Sequence, residues 1–283
     1  MNSYDVVIPC YNGADTVLIA VHSALDCPGV SRVIVVDDGS TDDSLALLRS
    51  VGDARVQVEH QANGGPGSAR NRGATLAATA RLIFLDADDA LIPNAVLVFE
   101  TFPSAEVVRS GAVRVFPDGS EDVDFAKSDP RPFPRGAPLC GSFSISRSLF
   151  ARIGGYDERL GYGENTELLL RAGQVMGGMD KIPCEAQPTV RVNYEPARNS
   201  DYYRRSRIAA INLVSAKHPC LLKHDPDTRR NYNAIASVLL RAEGDRRGAL
   251  LAAVRAAMVW RPEPRACLRA LKAALEVVGV RQS

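Results

Sequence analysis

The chain has 283 residues, of which 46% are hydrophobic and 24% charged, with a net charge of +1. This is the composition of an ordinary soluble globular protein, long enough for one large domain or two smaller ones, and no apolar run approaches the length of a membrane span. The near-neutral total hides an asymmetry: from Pro196 onward 17 Lys and Arg stand against 7 Asp and Glu, so the tail carries +10 and residues 1–195 carry −9. An acidic front and a basic tail should meet different partners. The six cysteines (Cys10, Cys27, Cys140, Cys184, Cys220, Cys267) form no Cys-x-x-Cys pair, and the four histidines (His22, His60, His218, His224) show no metal spacing. Zinc is therefore not expected, and a reduced intracellular state is the default. Residues 1–5 lack a basic n-region or a long h-region, so no signal peptide is expected.

Residues 5–8 read as a buried strand stopped by Pro9. A helix follows over about 15–25, with Val17, Ala20, Val21 and Ala24 on one face. Residues 33–36 form a second buried strand that runs into Asp37 and Asp38. Ser40 to Asp43 then supply turn chemistry, with Ser40 or Thr41 capping the next helix. Residues 56–60 are a short strand. The stretch 63–71 is a glycine-rich loop entering a helix, and such a helix start can receive an anion, with Arg70 to pair it. Its spacing is neither Walker A nor Gly-x-Gly-x-x-Gly, so taken alone it reads first as a structural turn.

Residues 82–85 are four apolar residues in a row, a strand buried on both faces, and they end in Asp86, Asp88 and Asp89. Apolar burial stops where charge begins, so these acids should stand at the carboxyl end of a central strand, where open α/β sheets bind ligands. On an extended backbone Asp86 and Asp88 point the same way and repel unless a cation lies between them. Hard oxygen ligands suit Mg²⁺ or Mn²⁺. Strand and helix alternate three times before Asp86, which implies a mainly parallel sheet with right-handed crossovers.

Beyond Asp89 the rhythm changes. Residues 107–109 and 112–116 read as a hairpin with a turn at 117–119 beyond it, 121–138 as a polar, proline-rich loop, 141–146 as a strand, 149–153 as a short helix and 154–158 as a turn. A helix starts near 163, placing Glu164, Glu167 and Arg171 on one face, with Glu167 and Arg171 spaced for a solvated i, i+4 ion pair. Residues 190–194 look like the last strand. From Asp201 the pattern is helical. Asp225-Pro226 is an N-cap with proline at N1, and Gly244-Asp245 and residues 261–264 separate helices. Ala249, Ala252, Ala253, Ala256 and Ala257 suit close helix packing, with Arg246, Arg247, Arg255, Arg265, Arg269 and Lys272 on the outer face.

Taken as an ordered set, residues 5–12, 33–42, 63–73, 81–89 and 154–171 resemble the family 2 glycosyltransferases with the GT-A fold, over about the first 195 residues. The resemblance implies an α/β, Rossmann-like GT-A domain over 1–195 and a basic helical region over 196–283. It implies inverting transfer from a nucleotide-diphosphate sugar, with UDP the expected nucleotide, assisted by Mn²⁺ or Mg²⁺. By analogy Pro9, Tyr11, Asn12 and Ala87 line the nucleotide-sugar pocket, with Tyr11 beside the base. Asp37 or Asp38 accepts from the base edge, and Arg70 lies near base or diphosphate. Asp86 faces ribose or metal, and Asp88 is the direct metal ligand. Two departures matter. Where relatives have Glu-Asp with the aspartate as base, this chain reads Glu164-Asn165, and an asparagine takes no proton at neutral pH. Glu164, or Glu167 one turn on, then serves, and Glu164 ranks first because Arg171 restrains Glu167. Some relatives also place a metal-binding histidine after the last strand; residues 194–199 here hold none, which implies either weaker metal binding or Arg198 meeting the phosphate directly.

The acceptor expected is a glycan or lipid-linked glycan at the inner membrane surface, with a small molecule as the alternative. The protein is expected in the cytoplasm, with peripheral contact to anionic lipid through the tail and no role for nucleic acid. The competing classes are a nucleotide-sugar-binding module without turnover, which Asn165 favours, and a nucleotidyltransferase, against which the motif set weighs.

Overall fold

The computed structural model describes residues 2–125, 138–193, 201–258 and Leu268. They fall into two compact units, one of 2–125 with 138–193 and one of the residues after 200. In the first unit β1 (Tyr4–Cys10), α1 (Val17–Leu25), β2 (Val30–Asp37), α2 (Ser44–Arg49), β3 (Val56–His60), α3 (Pro66–Leu76) and β4 (Arg81–Phe84) alternate along the chain. They are followed by β5 (Ala90–Leu91), α4 (Ala95–Phe99), β6 (Val107–Val115), β7 (Glu121–Asp124), β8 (Phe143–Ser146), α5 (Arg147–Arg152), α6 (Glu164–Met176) and β9 (Cys184–Asn193).

One sheet runs in the order β3-β2-β1-β4-β8-β6-β9-β5, with β7 beside β6. Strands β1 to β4 pair in parallel because a helix crosses over between each. β8 then lies antiparallel to both β4 and β6. The chain builds outward from β1 to β3 and then returns across β1 to β4. The carboxyl ends of β1 and β4 therefore border a topological switch point.

Two apolar layers hold the sheet. On one face Val6, Ile8, Val33 and Val35 pack with Val17 and Val21 of α1, Leu48 of α2 and Phe99 of α4. On the other, Val7, Ile34 and Phe84 pack with Ala69 and Ala74 of α3, Leu149 of α5 and Leu168 and Leu169 of α6. The alternation of Val6, Val7 and Ile8 between layers follows from the two-residue strand period. At Gly73 a Cβ would stand 2.4 Å from Cγ1 of Val7, so α3 lies on β1 at a distance only glycine permits.

Three expectations are corrected. Pro9 does not stop β1, which runs to Cys10 and pairs Pro9 with Val36. The missing N–H points toward β4, and pairing there has already ended at Phe84, so no ladder bond is lost. Residues 107–115 are one strand, not a hairpin; the hairpin partner is β7, reached through the 117–120 turn. Gly111 allows this because a Cβ there would meet the carbonyls of Asp124 and Ala186 at 2.7 and 2.9 Å. The last strand begins at Cys184, well before 190, and pairs in parallel with β6. Residues 126–137 of the polar loop lie outside the described residues.

The second unit contains α7 (Asp201–Lys217), α8 (Pro219–His224), α9 (Pro226–Ala242) and α10 (Arg246–Ala257). The Asp225 carboxylate caps α9, accepting from the Thr228 amide at 3.0 Å, and Asp245 caps α10 through the Gly248 amide at 2.8 Å. Ala249, Ala252, Ala253 and Ala256 are buried, while Ala257 is only half-buried. The separator at 261–264 and the basic residues Arg265, Arg269 and Lys272 lie outside the described residues.

Candidate active site

At the end of β1 the chain turns through Tyr11, which is 53% exposed, and Asn12, whose φ of 49° is left-handed. Asparagine tolerates that region better than most residues. The β2–α2 loop clasps the turn. Asn12 donates its amide to Ser40 Oγ at 2.9 Å and accepts from the Thr41 amide at 2.8 Å, while the Gly13 amide reaches Ser44 Oγ at 2.9 Å. Asp42 accepts from the Ala14 amide. Ser40 and Thr41 thus hold the turn after β1 and do not cap α2, whose N-cap is Asp43 without a side-chain bond.

Asp37 and Asp38 are both buried. Asp37 faces His60 Nδ1 at 2.7 Å, directly across the β2–β3 register. The Asp38 carboxylate accepts from Gln61 Nε2 at 2.8 Å and from the Gly64 and Gly65 amides at 2.9 and 2.7 Å. The glycine-rich loop is therefore an anion cradle whose anion is Asp38 itself. Asp38, expected with Asp37 at the base edge, thus also anchors the glycine-rich loop, while Asp37 Oδ1 has no hydrogen-bond partner.

The acid turn differs from the extended geometry expected. β4 ends at Phe84, and residues 86–89 form a turn closed by the Asp89 amide on the Asp86 carbonyl at 3.1 Å. Asp86 and Asp88 therefore do not follow the two-residue alternation of a strand. Asp88 is exposed, and its carbonyl accepts from Asn193 Nδ2. Asp89 is buried and receives the Asn193 amide at 3.1 Å, which ties the turn to β9. Ala87 is half-buried and packs toward Gly13.

Arg70 is the centre of the site. Expected near base or diphosphate, it is 3% exposed and bridges two carboxylates, Asp86 at 2.6 Å and Glu164 at 3.1 Å. Its guanidinium lies 5.2 Å from the centroid of the Tyr156 ring, and its Nε has no hydrogen-bond partner. Burial works against its charge, but the negative groups around it outweigh burial and hold its pKa well above the usual arginine value. Cys140 and Tyr156 also neighbour it. Burial pushes their own pKa values well up, so at neutral pH both are protonated and the work falls to Asp86 and Glu164.

The polar side chains at the start of α6 meet different partners. Glu164 turns to Arg70 and keeps 15% of its side chain exposed. Asn165 is buried, with Oδ1 accepting from the Tyr156 hydroxyl at 2.8 Å and Nδ2 3.5 Å from Cys140 Sγ. The Glu167–Arg171 pair is not solvated: the Glu167 side chain is fully buried, with its oxygens 2.7–2.9 Å from the guanidinium. Arginine pairing was the reason to rank Glu164 above Glu167, yet both are paired; what separates them is access.

Tyr156, Cys140 and Asn71 were missed by sequence reasoning. Asn71 Oδ1 accepts from the Tyr156 amide at 2.8 Å and its Nδ2 donates to the Tyr156 carbonyl at 3.0 Å, so α3 positions the ring under Arg70. The only signal was that both residues lie inside the ordered motif set. Residues 194–199, with Arg198, lie outside the described residues.

Residues 5–100 match the profile of Glycosyl transferase family 2. Over residues 5–100 the chain belongs to Glycosyl transferase family 2. The succinoglycan biosynthesis protein ExoU of Rhizobium meliloti is 40% identical over 92 residues, covering 31% of this chain and 27% of ExoU. The match thus spans about a quarter of that curated relative. The crystal structure of residues 1–349 of S. aureus TarS in complex with UDP superposes with a TM-score of 0.57 at 14% identity, covering 96% of this chain and 88% of TarS. The same TarS fragment with UDP-GlcNAc gives 0.58 at 13% identity, covering 99% and 93%. The first unit has the GT-A fold, and the helices after residue 200 follow it in sequence.

Proposed function

We propose that the chain is an enzyme that transfers a sugar from a nucleotide-diphosphate donor to a hydroxyl, with inversion at the transferred carbon. The observation that carries this reading is the Arg70 bridge. It joins Asp86 after β4 to Glu164 at the start of α6, bringing the acid turn and the helix expected to hold the base to one edge of the sheet. The UDP and UDP-GlcNAc complexes of TarS support a UDP-linked donor.

On this reading Pro9, the exposed ring of Tyr11, Asn12 and Ala87 line the nucleotide pocket, and Asp37 and Asp38 shape its wall by holding His60 and the 61–65 loop. The donor set fits a divalent cation, Mn²⁺ or Mg²⁺. Asp88 is an exposed carboxylate and Arg70 binds only one oxygen of Asp86, which are hard oxygen donors of the kind such ions take together with substrate phosphates. Among the described residues no group of three or more His, Cys, Asp or Glu is arranged to hold a metal, so the diphosphate would complete the set. The bound ion supplies positive charge to the departing diphosphate. Glu164 takes the proton of the acceptor hydroxyl as its oxygen bonds to the anomeric carbon. The bond from that carbon to the diphosphate oxygen breaks, and its electron pair leaves with the diphosphate. Arg70 holds Glu164 and Asp86 in register across the site.

The acceptor in this reading is a glycan or lipid-linked glycan, presented at an anionic inner membrane face to which the basic region holds the enzyme; a small-molecule acceptor is the alternative. A second reading, a module that binds nucleotide sugar without turnover, is favoured by the burial of Asn165 at the position where relatives carry the base. A transfer and donor-hydrolysis screen across nucleotide sugars, with Mn²⁺ and with chelator, separates the two. The enzyme reading expects metal-dependent turnover that Asp88→Ala abolishes and that Glu164→Gln lowers by about a hundredfold or more at nearly unchanged donor affinity. Donor binding without turnover selects the module. Full turnover in Glu164→Gln moves the base to Glu167, and failure to bind any nucleotide sugar rejects both.

A further inference from the structure

We infer that the outer face of α10 is a lipid-binding surface that lies in the plane of an anionic bilayer. The inference deepens the membrane part of the proposed function and is independent of its catalysis. α10 buries Ala249, Ala252, Ala253 and Ala256. The residues spaced i, i+4, i+7 and i+11 on the opposite side are Arg247, Leu251, Val254 and Met258. Leu251 is 58% exposed, Val254 38% and Met258 80%, a stripe of apolar side chains facing water. Arg246, Arg247 and Arg255 are exposed beside it and pair with no carboxylate among the described residues.

Charge decides the occupant. Residues 246–258 contain no Asp or Glu. The nearest acids are already used: Asp245 caps the helix, and Glu243 binds Arg204 and Arg205 at 3.1 and 2.9 Å. A second copy seated on this face would set arginine against arginine with no acid between them. A bilayer with anionic headgroups answers both features, taking the apolar side chains below the headgroups and the arginines at their level. No described helix is long and apolar enough to cross a membrane, so α10 lies on the surface.

Co-sedimentation of the full chain with vesicles of phosphatidylcholine, and of phosphatidylcholine mixed with phosphatidylglycerol, tests the inference at low and high salt. Binding to the anionic vesicles alone, weakening with salt, is expected. Each basic residue near such a surface is worth about fivefold in partitioning, so Arg247→Gln with Arg255→Gln should lower it at least about tenfold. Leu251→Gln with Met258→Gln should lower it by about tenfold even at low salt, with far-UV circular dichroism unchanged because these side chains face outward. Equal binding to neutral vesicles, or none to either, overturns the inference and the membrane reading together. Anionic binding that both double variants retain overturns the α10 assignment alone. Self-association abolished by the variants, without vesicle binding, gives the face to a second copy and overturns it as well.

Discussion

Replacing Arg70 by methionine keeps the volume and apolar stem of the side chain but removes the charge that Asp86 and Glu164 share. The bridge is buried on the arginine side and 36% and 15% exposed on the carboxylate sides. Breaking a buried pair by deleting one partner costs about 3–5 kcal/mol, because the remaining charge is left uncompensated. Water reaching Asp86 reduces that penalty, and the lost contact with the Tyr156 ring adds back roughly 0.5–2 kcal/mol. A net loss of about 3 kcal/mol is expected, which for a unit of this size lowers Tm by about 6–12 °C. Urea unfolding of the full chain, read by near-UV circular dichroism, gives the free energy. The decisive measurement is a double-mutant cycle with Glu164→Gln. Once Glu164 is neutral, Arg70→Met should cost about 1–2 kcal/mol less than in the parent. Additive costs, or an Arg70→Met protein within about 1 kcal/mol of the parent, would refute the bridge as the organiser of the site.

Gly73→Ala should destabilise by about 1–3 kcal/mol, since its Cβ meets Val7 Cγ1 at 2.4 Å and Val36 Cγ2 at 3.3 Å; an unchanged Tm would mean that α3 can lift from β1 freely. Burial raises the Glu100 carboxyl, but hydrogen bonds from Asn2 and from the Tyr4 hydroxyl at 2.8 Å outweigh it and hold its pKa below the usual value. Stability from this group is therefore present above the ordinary carboxylate range and is lost as pH falls through the lowered folded value, so the Tm advantage of the parent over Glu100→Gln should be full near neutrality and fade on acidification through and below the ordinary carboxylate range. Burial and the bond to Glu100 push Tyr4 up to about 12, so its contribution is complete below the unfolded tyrosine range and fades as pH rises through that value, which alkaline melts of Tyr4→Phe and parent would show. Asn165→Asp should lose about 1–3 kcal/mol in the same unfolding assay, because it charges a buried position, and on the reading that Glu164 is the base it should bring no gain in turnover.

The strand–helix alternation through β4 was legible because each strand is an apolar run that ends in turn or acid residues, and each helix shows its own period. The change of rhythm after Asp89 was legible too, but not its geometry. Whether 107–116 bends at Gly111 or passes straight through depends on the carbonyls of Asp124 and Ala186, which local sequence does not place. The residues of the site were legible as a set, while their partners were not. Arg70 reads from sequence as a ligand for an anion, and in the structure it binds the Asp86 and Glu164 carboxylates. Asp38 reads as an acceptor, and in the structure it accepts from the loop glycines. In both cases residue type named the interaction, and only the three-dimensional neighbours named the partner.

Charge balance explains why asparagine suits position 165. Arg70 contributes one positive charge, and the two carboxylates it binds, Asp86 and Glu164, contribute two negative charges. Cys140 and Tyr156 are held neutral by burial. These groups thus already carry one excess negative charge. An aspartate at 165 would add a second, buried against the Tyr156 hydroxyl and Cys140, while both forks of Arg70 are already taken. Asparagine keeps the acceptor that Tyr156 requires and omits the charge. The proton-accepting role then falls on the neighbouring carboxylate that Arg70 already orients and that is still partly open to water. The residue that departs from the family pattern is, on this reading, the one that keeps Tyr156 and Arg70 in place around Glu164.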